Sequence, residues 1–401
     1  MQKDKKQSFM QGIMTLMFSQ ILIKILGLIY KLYLTNKSDF GDIGNAIYNS
    51  GFQIYALILT ITSIGVPNAI AKLISERLSK DDEQGAEKVF KIAFAFFTII
   101  GFLGTFMIFY LSDFIANDWL QIKEAKLTLI ILAPSIFLES QIAVFRGYFN
   151  GHENMKPMAK SQTIEQFVKA IFTIIIVEVL SINQTSIEKM AAGANLATTI
   201  ATFASFTYLV YLYKKKIQYN KKNKKYKYIK NERVKDILKD IIKISMPLTI
   251  SSILGMLNKN IDSVTVVRNL KRFMTEEKAK IEYGILSGKI DTLVNFPLSF
   301  NIAFATALIP AISASKTKND YKNIEKRISF SILVTILIGM PCCVGMILFA
   351  KPILEILFPN ASSGELILKI SSISIIFIAL EQTINGALQG LGKVSIPVKS
   401  L

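Results

Sequence analysis

Apolar residues in this chain come in long runs that short, mostly basic connections separate. Each run is close to the roughly 20 residues that an α-helix needs to cross a bilayer. Because the hydrocarbon core offers no water to backbone groups, runs of this length predict membrane-spanning helices. The pattern predicts about ten spans, over residues 10–34, 43–71, 92–111, 127–144, 162–180, 191–213, 244–267, 283–313, 328–350 and 367–390.

Composition supports an all-α integral membrane protein. Hydrophobic residues make up 51% of the chain and charged residues 19%, against about 25% charged in soluble domains. The net charge of +18 lies in the connections, so no nucleic-acid partner is predicted. The two cysteines, Cys342 and Cys343, are adjacent within an apolar run, which predicts neither a disulfide framework nor a metal site. No phosphate-binding loop, HExxH or GxSxG motif occurs, so the chain is expected not to be an enzyme and to need no cofactor.

The basic connections predict the orientation. With the N-terminus inside, the inner segments hold 31 of the 47 lysines and arginines, and the outer segments hold 10. The positive-inside rule then predicts a multi-pass membrane protein with a cytoplasmic N-terminus. The most basic connection, 214–243, divides the chain into an N-lobe (1–213), a cytoplasmic linker and a C-lobe (244–401). This linker could bind anionic lipids or acidic partners, or it could be a solvated segment that only sets topology.

An internal repeat relates the two lobes. Gly147-Tyr148-Phe149-Asn150-Gly151 and Gly386-Ala387-Leu388-Gln389-Gly390 each end a span, with a proline six or seven residues on, and stand 239 residues apart. Pro67 and Pro310 form a second match, 243 residues apart. Both copies enter the membrane in the same direction, which predicts parallel repeats of six spans each. The second repeat would end near residue 450, so we expect a chain truncated from 12–14 spans.

Polar residues inside the spans carry the candidate chemistry, since a charge at mid-bilayer costs about 2.5–3.5 kcal/mol. Gln20, Lys24 and Lys31 share one helix face, as do Asn45, Asn49 and Gln53. These stripes suggest a hydrated cavity for an anionic substrate, although Lys31 could instead snorkel to the outer interface. The predicted substrate-binding residues are Lys24, Lys31, Asn49 and Lys289.

Carboxylates within spans suggest coupling to an ion, either Na⁺ or H⁺. The candidates are Glu165, Asp262, Asp291 and Glu381. Glu165 with Lys169, and Lys259 with Asp262, could equally be structural pairs within one helix. The predicted gating or hinge residues are Pro67, Gly147, Gly151 and Pro310, because proline bends a helix; such bends are also common in any membrane bundle.

Three segments resemble a known family. Residues 61–76 (ITSIGVPNAIAKLISE) resemble the second-span signature of the polysaccharide transporter branch of the MOP exporter superfamily. Residues 145–157 (FRGYFNGHENMKP), with SQTIEQ at 161–166, are similar to the fourth-to-fifth-span signature of the group formed by stage V sporulation protein B and the MurJ-like flippases. Residues 388–393 (LQGLGK) are similar to the matching tenth-span signature.

The resemblance implies a fold and a function. It implies two MATE-like, pseudo-symmetric six-helix lobes, usually followed by two further helices. It also implies a flippase that moves an undecaprenyl-diphosphate-linked precursor of peptidoglycan, such as lipid II or a related oligosaccharide lipid, by alternating access. The cationic cavity of that family would use Lys24 and Lys31 in the first span, the Asn49 stripe in the second, and Lys289 and Asp291 in the eighth.

Two alternatives stay open at the level of sequence. One is a cation-coupled multidrug exporter of the same superfamily, whose cavity should favour carboxylates. The other is a non-transporting membrane scaffold that recruits cell-wall synthesis proteins through the 214–243 linker. A flippase could use a coupling ion or the membrane potential, which would return an empty cationic cavity to the inner face. In each case we expect a monomer in the lipid bilayer.

Overall fold

The computed structural model describes residues 9–63, 65–223, 232–317, 319–393 and 396. These residues are almost entirely helical and include no β-strand, which confirms the all-α prediction. The helices are α1 (Phe9–Asn36), α2 (Gly41–Ser63), α3 (Val66–Leu78), α4 (Glu83–Phe114), α5 (Ala125–Gly151), α6 (Lys156–Ile182), α7 (Ile187–Asn223), α8 (Val234–Leu270), α9 (Glu276–Gly284), α10 (Asp291–Thr317), α11 (Tyr321–Leu348), α12 (Ala350–Leu357), α13 (Glu365–Ser372) and α14 (Ser374–Gly390). Two π-helical turns, Ile115–Trp119 and Ile285–Ile290, extend α4 and precede α10.

The membrane spans agree with the apolar runs. Among the described residues, seven helical segments have the length and hydropathy of a span. The remaining three predicted spans coincide with α6, α8 and α10, which are 27, 37 and 27 residues long. Charged side chains lie within each of these three predicted spans, and they lower its mean hydropathy.

Several apolar runs are interrupted helices. The run 43–71 is divided between α2 and α3, and Pro67 lies in the first turn of α3. Proline is tolerated there because the first turn of a helix has no acceptor for its missing N–H. The run 283–313 is likewise divided between α9, a π-helical turn and α10. Hydropathy does not detect such breaks, because it measures side-chain polarity and not backbone conformation.

The chain folds into two compact units. The first comprises Met1–Leu26 and Ser50–Arg268, and the second comprises Gly27–Asn49 and Asn269–Leu401. The hairpin that joins α1 to α2 therefore packs with the C-terminal half of the chain. The lobe boundaries at 213 and 244 stay a prediction.

The basic linker is largely helical where it is described. α7 continues to Asn223 and α8 begins at Val234, while 224–231 lie outside the described residues. The first turns of α8 belong to the core of the first unit, because Ile237 and Ile241 are buried in the same apolar cluster as Phe90 of α4. An ion pair between Arg77 of α3 and Glu232 anchors the segment just before α8.

Helix packing reproduces the sequence repeat. A β-carbon on Gly147 of α5 would lie 2.9 Å from the Pro67 carbonyl oxygen of α3, and one on Gly151 would lie 2.9 Å from that of Ala71. In the second unit, a β-carbon on Gly386 of α14 would lie 2.6 Å from the Ala305 carbonyl oxygen of α10. One on Gly390 would lie 2.8 Å from the Ile309 carbonyl oxygen. Small residues four apart let helix backbones approach closely in membranes.

This packing corrects one detail of the repeat. Ala305, not Pro310, occupies the place of Pro67, because Ala305 provides the carbonyl oxygen that faces the first glycine of the pair. α10 continues through Pro310 without a break, whereas Pro67 begins a new helix after Gly65. The predicted match at 243 residues is therefore about one helical turn out of register.

Helix caps repeat at the same spacing. Asp82 caps α4 by accepting a hydrogen bond from the Gly85 amide at 2.7 Å, and Asp320 caps α11 by accepting one from the Asn323 amide at 3.0 Å. The residue before each cap, Asp81 or Asn319, has a positive φ of 58° or 54°. Asp and Asn tolerate this left-handed conformation better than other non-glycine residues. The repeat therefore extends to the turns that precede α4 and α11.

Candidate functional site

A group of charged side chains lies inside the first unit, between α5 and α6. We call Glu139, Arg146 and Glu165 the α5–α6 charge cluster. Glu139 lies near the middle of α5, and Arg146 follows seven residues later, about two helical turns along the same face. The Arg146 guanidinium lies 3.7 Å from the Glu139 carboxylate and 2.8 Å from that of Glu165 on α6. One cation thus serves two carboxylates.

Hydroxyl groups complete the environment of the guanidinium. Arg146 Nε donates to Ser161 Oγ of α6 at 3.2 Å, and Nη2 reaches Ser205 Oγ of α7 at 3.5 Å. Only 12% of the Arg146 side chain and 8% of the Glu139 side chain are exposed. The guanidinium therefore ties three helices together in the interior of the unit.

One oxygen of the cluster has no partner. Glu139 Oε1 is buried and makes no hydrogen bond within the part of the chain that the structure describes. Buried polar atoms are normally hydrogen-bonded, so the missing partner of Glu139 Oε1 indicates a bound proton, ion or water at this atom. The terminal nitrogens of Arg146 hold the carboxylates of Glu139 and Glu165 side by side. Two ionised carboxylates cannot bond to each other, because both only accept.

Two further titratable groups border the cluster. Tyr55 of α2 is buried, hydrogen-bonds with Ser135 of α5 and lies within electrostatic range of Glu139 and Glu165. Lys169 is one turn beyond Glu165 on α6, and its ammonium lies 4.4 Å from the centre of the Phe52 ring, a cation–π distance. The ion pair of Glu165 is thus made with Arg146.

A second ion pair lies within the second unit. Lys289, in the π-helical turn before α10, is fully buried, and its ammonium lies 3.0 Å from the Asp42 carboxylate at the start of α2. The ammonium also donates to the Ala361 carbonyl at 2.6 Å and lies 3.3 Å from Ser363 Oγ. An ammonium has three donors, and these partners use them. This geometry is that of a structural tie, so substrate binding by Lys289 stays a prediction.

The other predicted substrate-binding residues lie on α1 and α2. Lys24 is exposed in the middle of α1, and Lys31 is half-buried and donates to Thr292 Oγ1 at 3.1 Å. Asn49 is buried, and its amide donates to the Asn45 carbonyl at 2.8 Å. Lys24 is therefore the predicted lysine with the most accessible side chain.

The remaining predicted carboxylates and hinges have varied surroundings. Asp262 and Glu381 are exposed, and Asp291 is half-buried. Pro67 is half-buried at the α2–α3 break, while the side chains of Lys259 and Pro310 lie outside the described residues. Gly147 and Gly151 pack α5 against α3. Close packing gives these glycines a role without a hinge, and the gating role stays a prediction.

Sequence inspection missed two members of the α5–α6 charge cluster. Glu139 is an isolated carboxylate in the middle of an apolar run, which is itself a signal that a functional partner exists. The fourth predicted span ends at residue 144, so Arg146 falls outside it. α5 in fact continues to Gly151, and this brings Arg146 within reach of both carboxylates.

Comparison with known proteins relates the chain to membrane transporters. Residues 9–316 match the family model described as polysaccharide biosynthesis protein, and 290–401 match that of MatE. Stage V sporulation protein B of Bacillus subtilis (strain 168) is 25% identical over 96% of this chain and 73% of its own length. Lipid II flippase MurJ of the same organism is also 25% identical, over 98% of this chain and 74% of its own length.

Solved structures agree on the fold. The inward-facing conformation of a multidrug resistance transporter of the MATE family, in the MOP superfamily, superposes with a TM-score of 0.74. It is 15% identical, over 95% of this chain and 83% of its own. The fold is therefore MATE-like, as the resemblance in the sequence implied. With this fold and a family match over most of its length, the chain is a multi-pass membrane transporter of the MOP superfamily and belongs to the polysaccharide biosynthesis protein family.

Proposed function

We propose that the chain is a flippase that moves an undecaprenyl-diphosphate-linked cell-wall precursor, lipid II or a related oligosaccharide lipid, across the bacterial plasma membrane. The observation that carries this proposal is the similarity to a lipid II flippase over 98% of the chain. The similarity to a sporulation protein over 96% of the chain suggests peptidoglycan of the spore as a setting. Transport would proceed by alternating access, with the N-terminus in the cytoplasm.

Lys24 is the residue on which the substrate proposal depends. A diphosphate carries about two negative charges and cannot cross hydrocarbon unaided, so a flippase must offer it cations in a hydrated path. Lys24 is exposed at mid-helix in a segment with the length and hydropathy of a span. An ammonium there can form a charge-assisted hydrogen bond with a phosphate oxygen. Lys31, seven residues further along α1, would continue the polar path on the same face of that helix.

A complementation experiment tests the function. The chain is expressed in cells depleted of their own lipid II flippase, and the lipid II accessible on the outer face is measured for wild type, Lys24→Ala and Lys351→Ala. Lys351 is a matched control, because it is an exposed lysine paired with Glu355 in α12. We expect wild type and Lys351→Ala to restore accessibility and Lys24→Ala to lose at least tenfold. Inserted wild-type protein that restores nothing would refute lipid II as the substrate.

A multidrug exporter is the second candidate. The carboxylates of Glu139 and Glu165, which lie beside Arg146, favour it, since carboxylates can hold a cationic drug or a coupling ion. Cells that express the chain would then survive higher concentrations of lipophilic cations such as ethidium. Resistance that depends on Glu165, together with absent lipid II accessibility, would favour this function over the flippase.

A further inference from the structure

We propose that the α5–α6 charge cluster is a proton-binding site, in which Glu139 and Glu165 share one exchangeable proton beside Arg146. The role of this proton in transport rests on the proposed function, but its binding does not. The assignment follows from the charges, the hydrogen bonds and the burial of the three side chains.

The α5–α6 charge cluster has one more acidic group than it has basic groups. Two carboxylates and one guanidinium leave a net charge of minus one when all three are ionised. Glu139 is 6% exposed and shares its ion-pair partner Arg146 with Glu165, so a negative charge on Glu139 is buried and only partly compensated. A buried charge without full compensation is unfavourable, and a single proton removes it.

The hydrogen-bond geometry shows where the proton can reside. Arg146 occupies Oε2 of Glu139 and Oε2 of Glu165, at 3.7 Å and 2.8 Å. Glu139 Oε1 is left buried without a hydrogen bond. The two terminal nitrogens of the Arg146 guanidinium hold the two carboxyl groups side by side, and two carboxyl groups can bond to each other only when one of them carries a hydrogen.

A metal cation fits these side chains less well than a proton does. Hard metal cations such as Ca²⁺ take about 6–8 oxygen ligands, and the guanidinium already occupies one oxygen of each carboxylate. The guanidinium would also repel a second cation at short range. A proton needs a single acceptor oxygen and no coordination sphere.

The neighbouring titratable groups are Tyr55 on α2 and Lys169 on α6. Tyr55 hydrogen-bonds with Ser135, and the Lys169 ammonium lies over the Phe52 ring. The groups from α5 and α7 that face Arg146 are Glu139 itself and the neutral Ser205 hydroxyl. Proton exchange therefore changes the charge where Arg146 joins α5, α6 and α7, so it alters the tie among these helices.

Infrared spectroscopy of the purified chain in liposomes tests proton binding directly. A protonated carboxyl group has a C=O stretch distinct from that of a carboxylate, and a pH titration follows its loss. We expect one buried carboxyl band in wild type that is absent in Glu139→Gln and Glu165→Gln. Glu355→Gln is the matched control, since Glu355 on α12 is exposed and pairs with Lys351, and it should keep the band. A band of wild-type size in both Glu139→Gln and Glu165→Gln would overturn the proposal.

Further arms separate the proton site from a sodium site and from the transport function. Exchanging Na⁺ for K⁺ at constant pH should leave the band unchanged, and loss of the band on adding Na⁺ would overturn the assignment to a proton.

Liposomes that enclose a pH dye then report proton movement while a fluorescent undecaprenyl-diphosphate-linked sugar crosses the membrane. A titrating band without any lipid movement would leave the proton site standing and refute the flippase. If Glu139→Gln does not insert into the membrane, two other variants test proton binding. Glu165→Gln should lose the carboxyl band, and the conservative Glu139→Asp should retain a shifted band.

Discussion

Gly147 packs directly against Pro67, because a β-carbon at Gly147 would lie 2.9 Å from the Pro67 carbonyl oxygen. That oxygen belongs to backbone at the start of α3 and cannot rotate away. We expect Gly147→Ala to push α5 from α3 and to lower the free energy of unfolding by about 1–3 kcal/mol. Gly345→Ala on α11 is the control, since a β-carbon there meets nothing within 4 Å. Thermal unfolding in detergent, followed by size-exclusion chromatography, should show a lower Tm for Gly147→Ala alone.

The second repeat should respond in the same way. A β-carbon on Gly386 would lie 2.6 Å from the Ala305 carbonyl oxygen, which is closer than the contact at Gly147. Gly386→Ala is therefore expected to lower Tm at least as much as Gly147→Ala, in the same assay. Equal stability of Gly386→Ala and wild type would show that the two α-helical packings are not equivalent.

Removal of the Lys289 ammonium should leave Asp42 as an uncompensated charge. Lys289 is fully buried and its partner is 11% exposed. Breaking a buried pair by deleting one partner costs about 3–5 kcal/mol, so Lys289→Met should express poorly and unfold at a lower temperature. Adding Asp42→Asn should recover most of the loss, because no buried charge then remains. A double variant as unstable as Lys289→Met would show that Ala361 and Ser363, rather than Asp42, dominate the contact.

The ion pair of Arg77 should protect the segment that precedes α8. The Arg77 side chain is 9% exposed and binds Glu232, and it also donates to the Leu73 carbonyl at 2.8 Å. We expect Arg77→Met to release this segment and to speed tryptic cleavage within 214–243 several-fold. Lys72→Met is the control, because Lys72 forms an exposed pair with Glu76 on the same helix. Cleavage at the wild-type rate in Arg77→Met would mean that Ile237 and Ile241 hold the segment unaided.

Sequence was sufficient for the fold because its signals are local. Run length fixes the spans, and the Gly147–Gly151 and Gly386–Gly390 pairs give the repeat that the helix contacts reproduce. The helix breaks at Gly65 and before α10 could not be predicted, since backbone conformation there is independent of hydropathy.

The candidate site was less predictable because it depends on tertiary contacts. Arg146 could be identified as an intramembrane residue only once the true end of α5 was known. Lys289 and Asp42 are 247 residues apart in the chain, so nothing local indicates that they pair. Lys24 could be singled out because its position at mid-helix is itself a local property.

The hairpin Gly27–Asn49 has a consequence for biosynthesis. It packs in the second unit, and its Asp42 finds Lys289 only after 247 further residues have been made. At a synthesis rate of 5–20 residues per second, this interval lasts roughly 12–50 s. During that time the nascent hairpin carries an acidic side chain whose permanent partner does not yet exist. During this interval the first two helices stay in the membrane or the insertion machinery without the Lys289 contact. The unpaired hairpin is therefore open to recognition by membrane chaperones and proteases until Lys289 has been made.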